Sequence, residues 1–206
     1  MEAADIVARI KRITPPWVRI QRVQRDIPTP IIAAGVDMSN LRQVAYEIVK
    51  KKGWSCRCVR CREIGHRTRD GLEAPSMNEF DLIRREYDAS GGREFFISLE
   101  HGPSDSLLGY IRIRNPSPFA EREGSDDLLF VRELKVFGQL VPIGERKENT
   151  WQHRGTGKRL LLEAEKIAHE ELGKGRVVVT SGIGVREYYR SLGYRRSGPY
   201  MEKMIT

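Results

Sequence analysis

The sequence predicts an α/β fold, a mixed and mostly antiparallel sheet flanked by helices, preceded by a small basic segment that carries all the cysteines. Three observations point to it. Residues 78–141 hold four β-rich runs separated by turn signals, and residues 152–205 alternate helical and strand patterns. The charge is divided: residues 1–70 carry 15 Lys+Arg against 7 Asp+Glu, and residues 71–206 carry 21 of each. The expected boundary gives a basic, partly helical segment over 1–75 and the sheet domain over 76–206.

In the first segment, Ile6, Val7, Ile10 and Ile13 recur at helical spacing over 2–13, and Thr14-Pro15-Pro16 stops that helix. Trp17-Val18-Arg19-Ile20 reads as a short strand. Ser39-Asn40 opens a helix to about Lys52. In the second, strands are expected over 80–87, 94–100, 107–114 and 128–141, with Gly91-Gly92 turning the first pair. An irregular loop at 142–151 leads to an amphipathic helix ending near Leu172, before Gly173. A buried strand over 176–181, a short helix over 185–192 and a last strand over 200–205 complete the order.

With 206 residues the chain holds one sizeable core, or one domain and an appendage. No apolar run approaches 18 residues, so no membrane span is expected, and the acidic start is no signal peptide. Three cysteines within six positions suit metal in a reducing compartment, hence the cytoplasm. Basic charge gathered in the first third suggests a polyanion partner, nucleic acid above all, against the plainer reading of a solvated face.

The most informative motif is Gln152-His153-Arg154-Gly155-Thr156-Gly157, a Q-x-x-G-x-G opening a helix. Glycines at that spacing let backbone N–H groups converge on an anion where the helix dipole is positive. It is neither a Walker loop nor a dinucleotide fingerprint. It resembles the loop by which GNAT acetyltransferases hold coenzyme A. Glu133-Leu134-Lys135-Val136 ends a strand 16 residues before Gln152, where a GNAT domain binds pantetheine and the acetyl carbonyl. Tyr188 and Tyr189 lie where a phenol would protonate the departing thiolate. The reading favours Tyr189 at the cofactor and Tyr188 in packing, with Glu133 a candidate base. Arg154, Lys158 and Arg159 either neutralise phosphates or face water.

Cys56-x-Cys58-x-x-Cys61 followed by His66 offers three thiolates and an imidazole, the donor set of a tetrahedral structural zinc. Asp70 or a distant residue is the alternative fourth ligand. The spacing does not match a radical S-adenosylmethionine cluster, and no iron–sulfur cluster is expected in this chain.

Taken together, Pro15 to Pro28, Cys56 to His66, Arg132 to Gly138, Gln152 to Gly157 and Tyr188 to Tyr194 resemble the catalytic subunit of Elongator, the tRNA wobble-uridine modifying enzyme. The resemblance covers nearly the whole chain. It implies a GNAT acetyltransferase region behind a zinc-binding linker, without the family's radical S-adenosylmethionine barrel, which would act in cis if the chain is a fragment or in trans otherwise. It places acetyl-CoA contacts on Glu133, Leu134, Lys135, Val136, Thr156, Gly157, Lys158 and Tyr189, to which the cradle motif adds His153, Arg154 and Gly155. The zinc cysteines fall on Cys56, Cys58 and Cys61, and tRNA contacts on Arg19, Arg22 and Arg25. The function so implied is C5 carboxymethylation of the tRNA wobble uridine, with acetyl-CoA hydrolysis stimulated by tRNA. A protein lysine acetyltransferase and a tRNA-binding module with a non-catalytic acetyl-CoA site are the alternatives.

Overall fold

In the computed structural model the chain divides into two compact units, Met1–Gly71 and Leu72–Thr206. The structure describes residues 2–23, 29–36, 39–117, 126–138 and 155–205.

In the first unit α1 (Glu2–Ile13) packs on α2 (Leu41–Lys51). The helix is the one expected, but its buried face differs. Ala4 and Ala8 are fully buried while Ile6, Ile10 and Ile13 are 52%, 50% and 76% exposed. Small side chains let two helix axes approach closely; branched ones at the same place would hold them apart. Trp17–Ile20 forms no strand. Val18 N–H donates to Pro15 O at 3.0 Å in a turn, and Val18 O accepts a single bond from Val59 N–H at 2.9 Å. Two short helices that the sequence pattern does not predict, α3 (Val59–Arg62) and α4 (Ile64–Arg69), follow the cysteine run.

The second unit is a seven-stranded sheet in the order β1-β2-β3-β4-β5-β7-β6. Its strands are β1 (Asp81–Ala89), β2 (Gly92–His101), β3 (Ser106–Asn115), β4 (Leu128–Val136), β5 (Arg176–Val179), β6 (Arg195–Ser197) and β7 (Tyr200–Met204). Neighbours are antiparallel except β4 and β5, which pair in parallel. A parallel pair needs a crossover, and α5 (Thr156–Lys166), continued by a π-helical turn over Ile167–Glu171, lies in that connection and packs on β3 and β4. Phe95, Ile97, Ile111, Ile113, Leu129 and Val131 of the sheet and Leu160, Leu161, Ala164 and Ile167 of the helix are buried together. Each such side chain contributes roughly 1.5–3 kcal/mol by leaving water.

The first hairpin turns on Ser90 and Gly91, both at positive φ, one residue earlier than predicted. That is the mirror-image two-residue turn that matches strand twist. β4 ends at Val136; the predicted continuation to 141 and the loop over 142–151 lie outside the described residues beyond Gly138. β6 is an added strand, joined to β7 through Gly198 at φ 55° and Pro199. The short helix is α6 (Arg186–Arg190). This is the mixed, mostly antiparallel sheet flanked by helices that the sequence predicts.

Candidate functional site

The parallel pairing of β4 with β5 covers Leu128 to Val131 opposite Arg176 to Val179 and then stops. β4 runs on through Glu133, Leu134, Lys135 and Val136, held by β3 alone in the register Arg112↔Glu133 to Gly109↔Val136. Among the described residues no strand pairs with the other edge of β4 beyond Val131. The start of α5 sits against this strand end. A Cβ on Gly109 would lie 2.8 Å from Lys135 O and 3.5 Å from Thr156 Cγ2, so only glycine allows the three segments to meet. A glycine inside a strand pattern is the signal that would have flagged this position.

Gly155 caps α5 in the left-handed region, φ 79° and ψ 6°, and its carbonyl accepts from Arg159 N–H at 2.8 Å. The N–H groups that open an α-helix have no partner within it and point along its positive end. Thr156 is buried here and Lys158 is exposed. Gln152, His153 and Arg154, the first half of the predicted cradle, lie outside the described residues. Gly157 is the tightest point: a Cβ there would stand 2.5 Å from Tyr188 Oη and 3.7 Å from Val136 Cγ2. Strand end, helix start and phenol converge on one place, where a side chain at 157 would close the gap.

The two tyrosines differ in burial, and Tyr189, which the sequence reading favours at the cofactor, is the more enclosed. Tyr189 is 6% exposed, its ring edge-on to Tyr188 at 5.3 Å and to Tyr194 at 5.8 Å. Tyr188 is 39% exposed with its hydroxyl at Gly157. Burial raises the pKa of both phenols, that of Tyr189 to about 12. Glu133 accepts hydrogen bonds from Tyr110 Oη at 2.9 Å, Lys135 Nζ at 3.2 Å and Arg112 Nε at 3.4 Å. Burial opposes its charge, but Tyr110, Lys135 and Arg112 outweigh burial and hold the carboxyl below its ordinary range. So held, it is a fixed anion and a weak proton acceptor. The sequence reading missed Tyr110 and Arg112, which are ordered around Glu133 only by strand register.

In the first unit the sulfurs of Cys56, Cys58 and Cys61 lie within 4.8 Å of one another. Cys58 is the N-cap of α3 and Cys61 N–H donates to Cys58 O at 3.0 Å, so one helical turn brings both thiols to the same side. Ligand sulfurs of a tetrahedral zinc stand roughly 3.8 Å apart, and the donor set fits. S–H donation from Cys56 and Cys61 draws the Cys58 thiol down, while the same contacts push Cys61 up. His66 stands outside this group. Its Nε2 lies 3.2 Å from Glu63 Oε2 and its Nδ1 2.5 Å from Arg69 Nη2. Burial, then Arg60 and Arg69, lower its pKa. Asp70 is exposed and is likewise not in the group.

Of the three predicted tRNA contacts, Arg19 is paired with Glu63, Arg22 is exposed, and Arg25 lies outside the described residues. Arg9, Arg12, Lys50, Lys51 and Arg57 are further exposed bases of the same unit. No helix among the described residues is long and apolar enough to cross a membrane.

Residues 1–51 match the Radical_SAM C-terminal domain family. The chain is 48% identical over 205 residues to the tRNA uridine(34) acetyltransferase of Methanocaldococcus jannaschii, across 99% of this chain and 38% of that protein. It is 45% identical over 205 residues to Elongator complex protein 3 of Homo sapiens, across 99% of this chain and 37% of that protein. The solved structure of Methanocaldococcus infernus Elp3 with an N-terminus deletion superposes with a TM-score of 0.89 at 46% identity, covering 99% of this chain and 48% of that one. The chain therefore spans less than half the length of these relatives. With such identity sustained along nearly its whole length and on the same fold, the chain belongs to the Elongator catalytic-subunit family, whose C-terminal region it matches.

Proposed function

We propose that this chain holds acetyl-CoA and serves as the acyltransferase part of a tRNA wobble-uridine C5 carboxymethylating enzyme. The carrying observation is the meeting of three parts: β4 leaving β5 at Val131, the N-terminus of α5, and Tyr188 Oη against Gly157. In this reading the N–H groups opening α5 and Lys158 bind the pyrophosphate. The edge of Glu133 to Val136 opposite β3 pairs with the pantetheine arm and orients the thioester. Acetyl-CoA supplies the acyl group as that thioester. In the hydrolytic step water adds to the acetyl carbon, and Tyr188 donates its phenolic proton to the coenzyme A sulfur as the carbon–sulfur bond breaks. This releases free thiol and the carboxylic acid and leaves a phenolate that solvent reprotonates; the alkyl thiolate has a proton affinity close to that of a phenolate. Glu133, fixed by Tyr110, Lys135 and Arg112, positions its strand and does not carry the proton.

The names of the relatives and the exposed bases of the first unit support tRNA as the partner. The match over residues 1–51 supports a radical S-adenosylmethionine domain working with this chain, in cis or in trans. Cys56, Cys58 and Cys61 would hold a structural zinc, with the fourth ligand coming from outside the three thiols. Zinc there would tie the loop to α3 and supply no reaction step.

The test is thioester hydrolysis with tRNA, with a lysine-containing peptide, or with neither. Stimulation by tRNA is expected. Stimulation by the peptide alone would favour a lysine acetyltransferase. Tight acetyl-CoA binding without turnover in any arm would reduce the site to a binding module, and absent binding by calorimetry would remove the whole reading.

A further inference from the structure

Lys11 lies on the inner side of α1, with Ala4 and Ala8, and is 1% exposed. Its neighbours in sequence, Arg9 and Arg12, are exposed. Lysine almost never sits fully inside a protein without a partner, because an ammonium loses its hydration there. Among the described residues, its Nζ reaches one acceptor, Cys61 Sγ at 3.5 Å. A neutral thiol is a weak acceptor and gives little in return for that desolvation. A thiolate is a full charge, and three thiolates on a divalent cation leave a net negative centre. A second cation stands nearby: Arg42 of α2 donates to Gln21 O at 3.0 Å, and burial and Arg60 lower its pKa while the three cysteines raise it. A buried ammonium against the cysteine cluster is thus what a metal–thiolate centre calls for and what three plain thiols would not.

We propose that Lys11 is an outer-sphere positioning residue of the metal centre: it donates to the Cys61 sulfur and offsets the thiolate charge, so that metal binding and the seating of α1 on the cysteine segment reinforce each other. This rests on the metal reading given above and adds a residue from outside the cysteine motif.

The test is competition for zinc between the full chain and a chromophoric chelator. Lys11→Met, which keeps the length and removes the charge, is expected to lower zinc affinity about 10–100-fold, the range seen when outer-shell partners are removed. Lys11→Arg should recover most of it. In the cobalt-substituted protein the sulfur-to-metal absorption band should move in Lys11→Met and return in Lys11→Arg, which a purely structural lysine would not produce. Should Lys11→Met fail to fold, Lys11→Gln retains an N–H donor and removes only the charge; it too should bind zinc more weakly. Zinc affinity within twofold of wild type in the folded variant would overturn the proposal while leaving the metal site standing. A wild-type chain that binds no zinc would remove the metal reading and this proposal with it.

Discussion

A Cβ at position 157 would stand 2.5 Å from the hydroxyl oxygen of Tyr188, closer than side chains approach one another. Gly157 therefore does two things: it opens the helix start to an anion, and it admits the phenol. The two can be separated. Gly157→Ala adds about 1 kcal/mol of helix propensity but forces the Tyr188 ring away. We expect it to destabilise the wild-type chain and to stabilise the Tyr188→Phe chain, in which the clashing oxygen is gone. Urea unfolding of the four chains of the double-mutant cycle measures this directly. An identical effect in both backgrounds would mean that the two groups do not meet in solution.

The same approach of Tyr188 to the helix start divides the roles of the adjacent tyrosines. If the exposed phenol gives its proton to the leaving sulfur, Tyr188→Phe should cut thioester turnover about 100-fold or more. Its acetyl-CoA affinity should stay near wild type. Tyr189→Phe should leave turnover almost unchanged, since that ring is enclosed by Tyr188 and Tyr194. The reverse result would restore the assignment that the sequence alone favoured.

The difference in burial between the two tyrosines shows where sequence reasoning stops. Consecutive positions on a helix point about 100° apart, and nothing local in Tyr188-Tyr189 says which one turns inward. The choice is made by Tyr194, whose ring stacks edge-on against Tyr189 and whose hydroxyl donates to Glu165 of α5 at 2.8 Å. By contrast α5 was legible, because Leu160, Leu161 and Ala164 repeat at helical spacing and are the residues buried. In α1 the period was legible but its inner face was not: the isoleucines set the period, while the alanines and Lys11 make the contact with α2 and the cysteine segment. β6 was illegible for a different reason. Arg195-Arg196-Ser197 has no apolar alternation, and only its register with β7 makes it a strand.

The basic segment yields a prediction that separates two arginines the sequence could not. Arg22 is exposed, whereas Arg19 is paired with Glu63, a carboxylate that burial pushes up in pKa even with Arg19 beside it. Arg22→Glu should weaken tRNA binding and flatten its salt dependence by roughly 0.7–0.9 in log–log slope for each phosphate no longer neutralised. Arg19→Ala should mainly lower stability, by about 1–3 kcal/mol, because it removes the charged partner of a buried carboxylate and leaves His66 beside it. Filter binding across a salt series, with unfolding curves on the same proteins, distinguishes the two. A flattened slope in Arg19→Ala and none in Arg22→Glu would exchange the assignments.

Buried phenols predict the alkaline limit of the fold. Burial pushes Tyr189 up to about 12, and burial together with the Glu165 carboxylate raises Tyr194 further. The unfolded chain releases these protons near pH 10 while the folded chain keeps them. Between pH 10 and about 12 the folded state thus binds more protons than the unfolded one, and stability falls as pH rises. Below pH 10 the contribution is fully present. For Tyr189, only 6% exposed, the fall is at most about 1.4 kcal/mol per pH unit. Urea unfolding at pH 8, 10 and 11 should therefore show a shallower decline in Tyr189→Phe than in wild type. Parallel declines would mean that this hydroxyl titrates as freely in the folded chain as in the unfolded one, and that the ring is not enclosed as the structure has it.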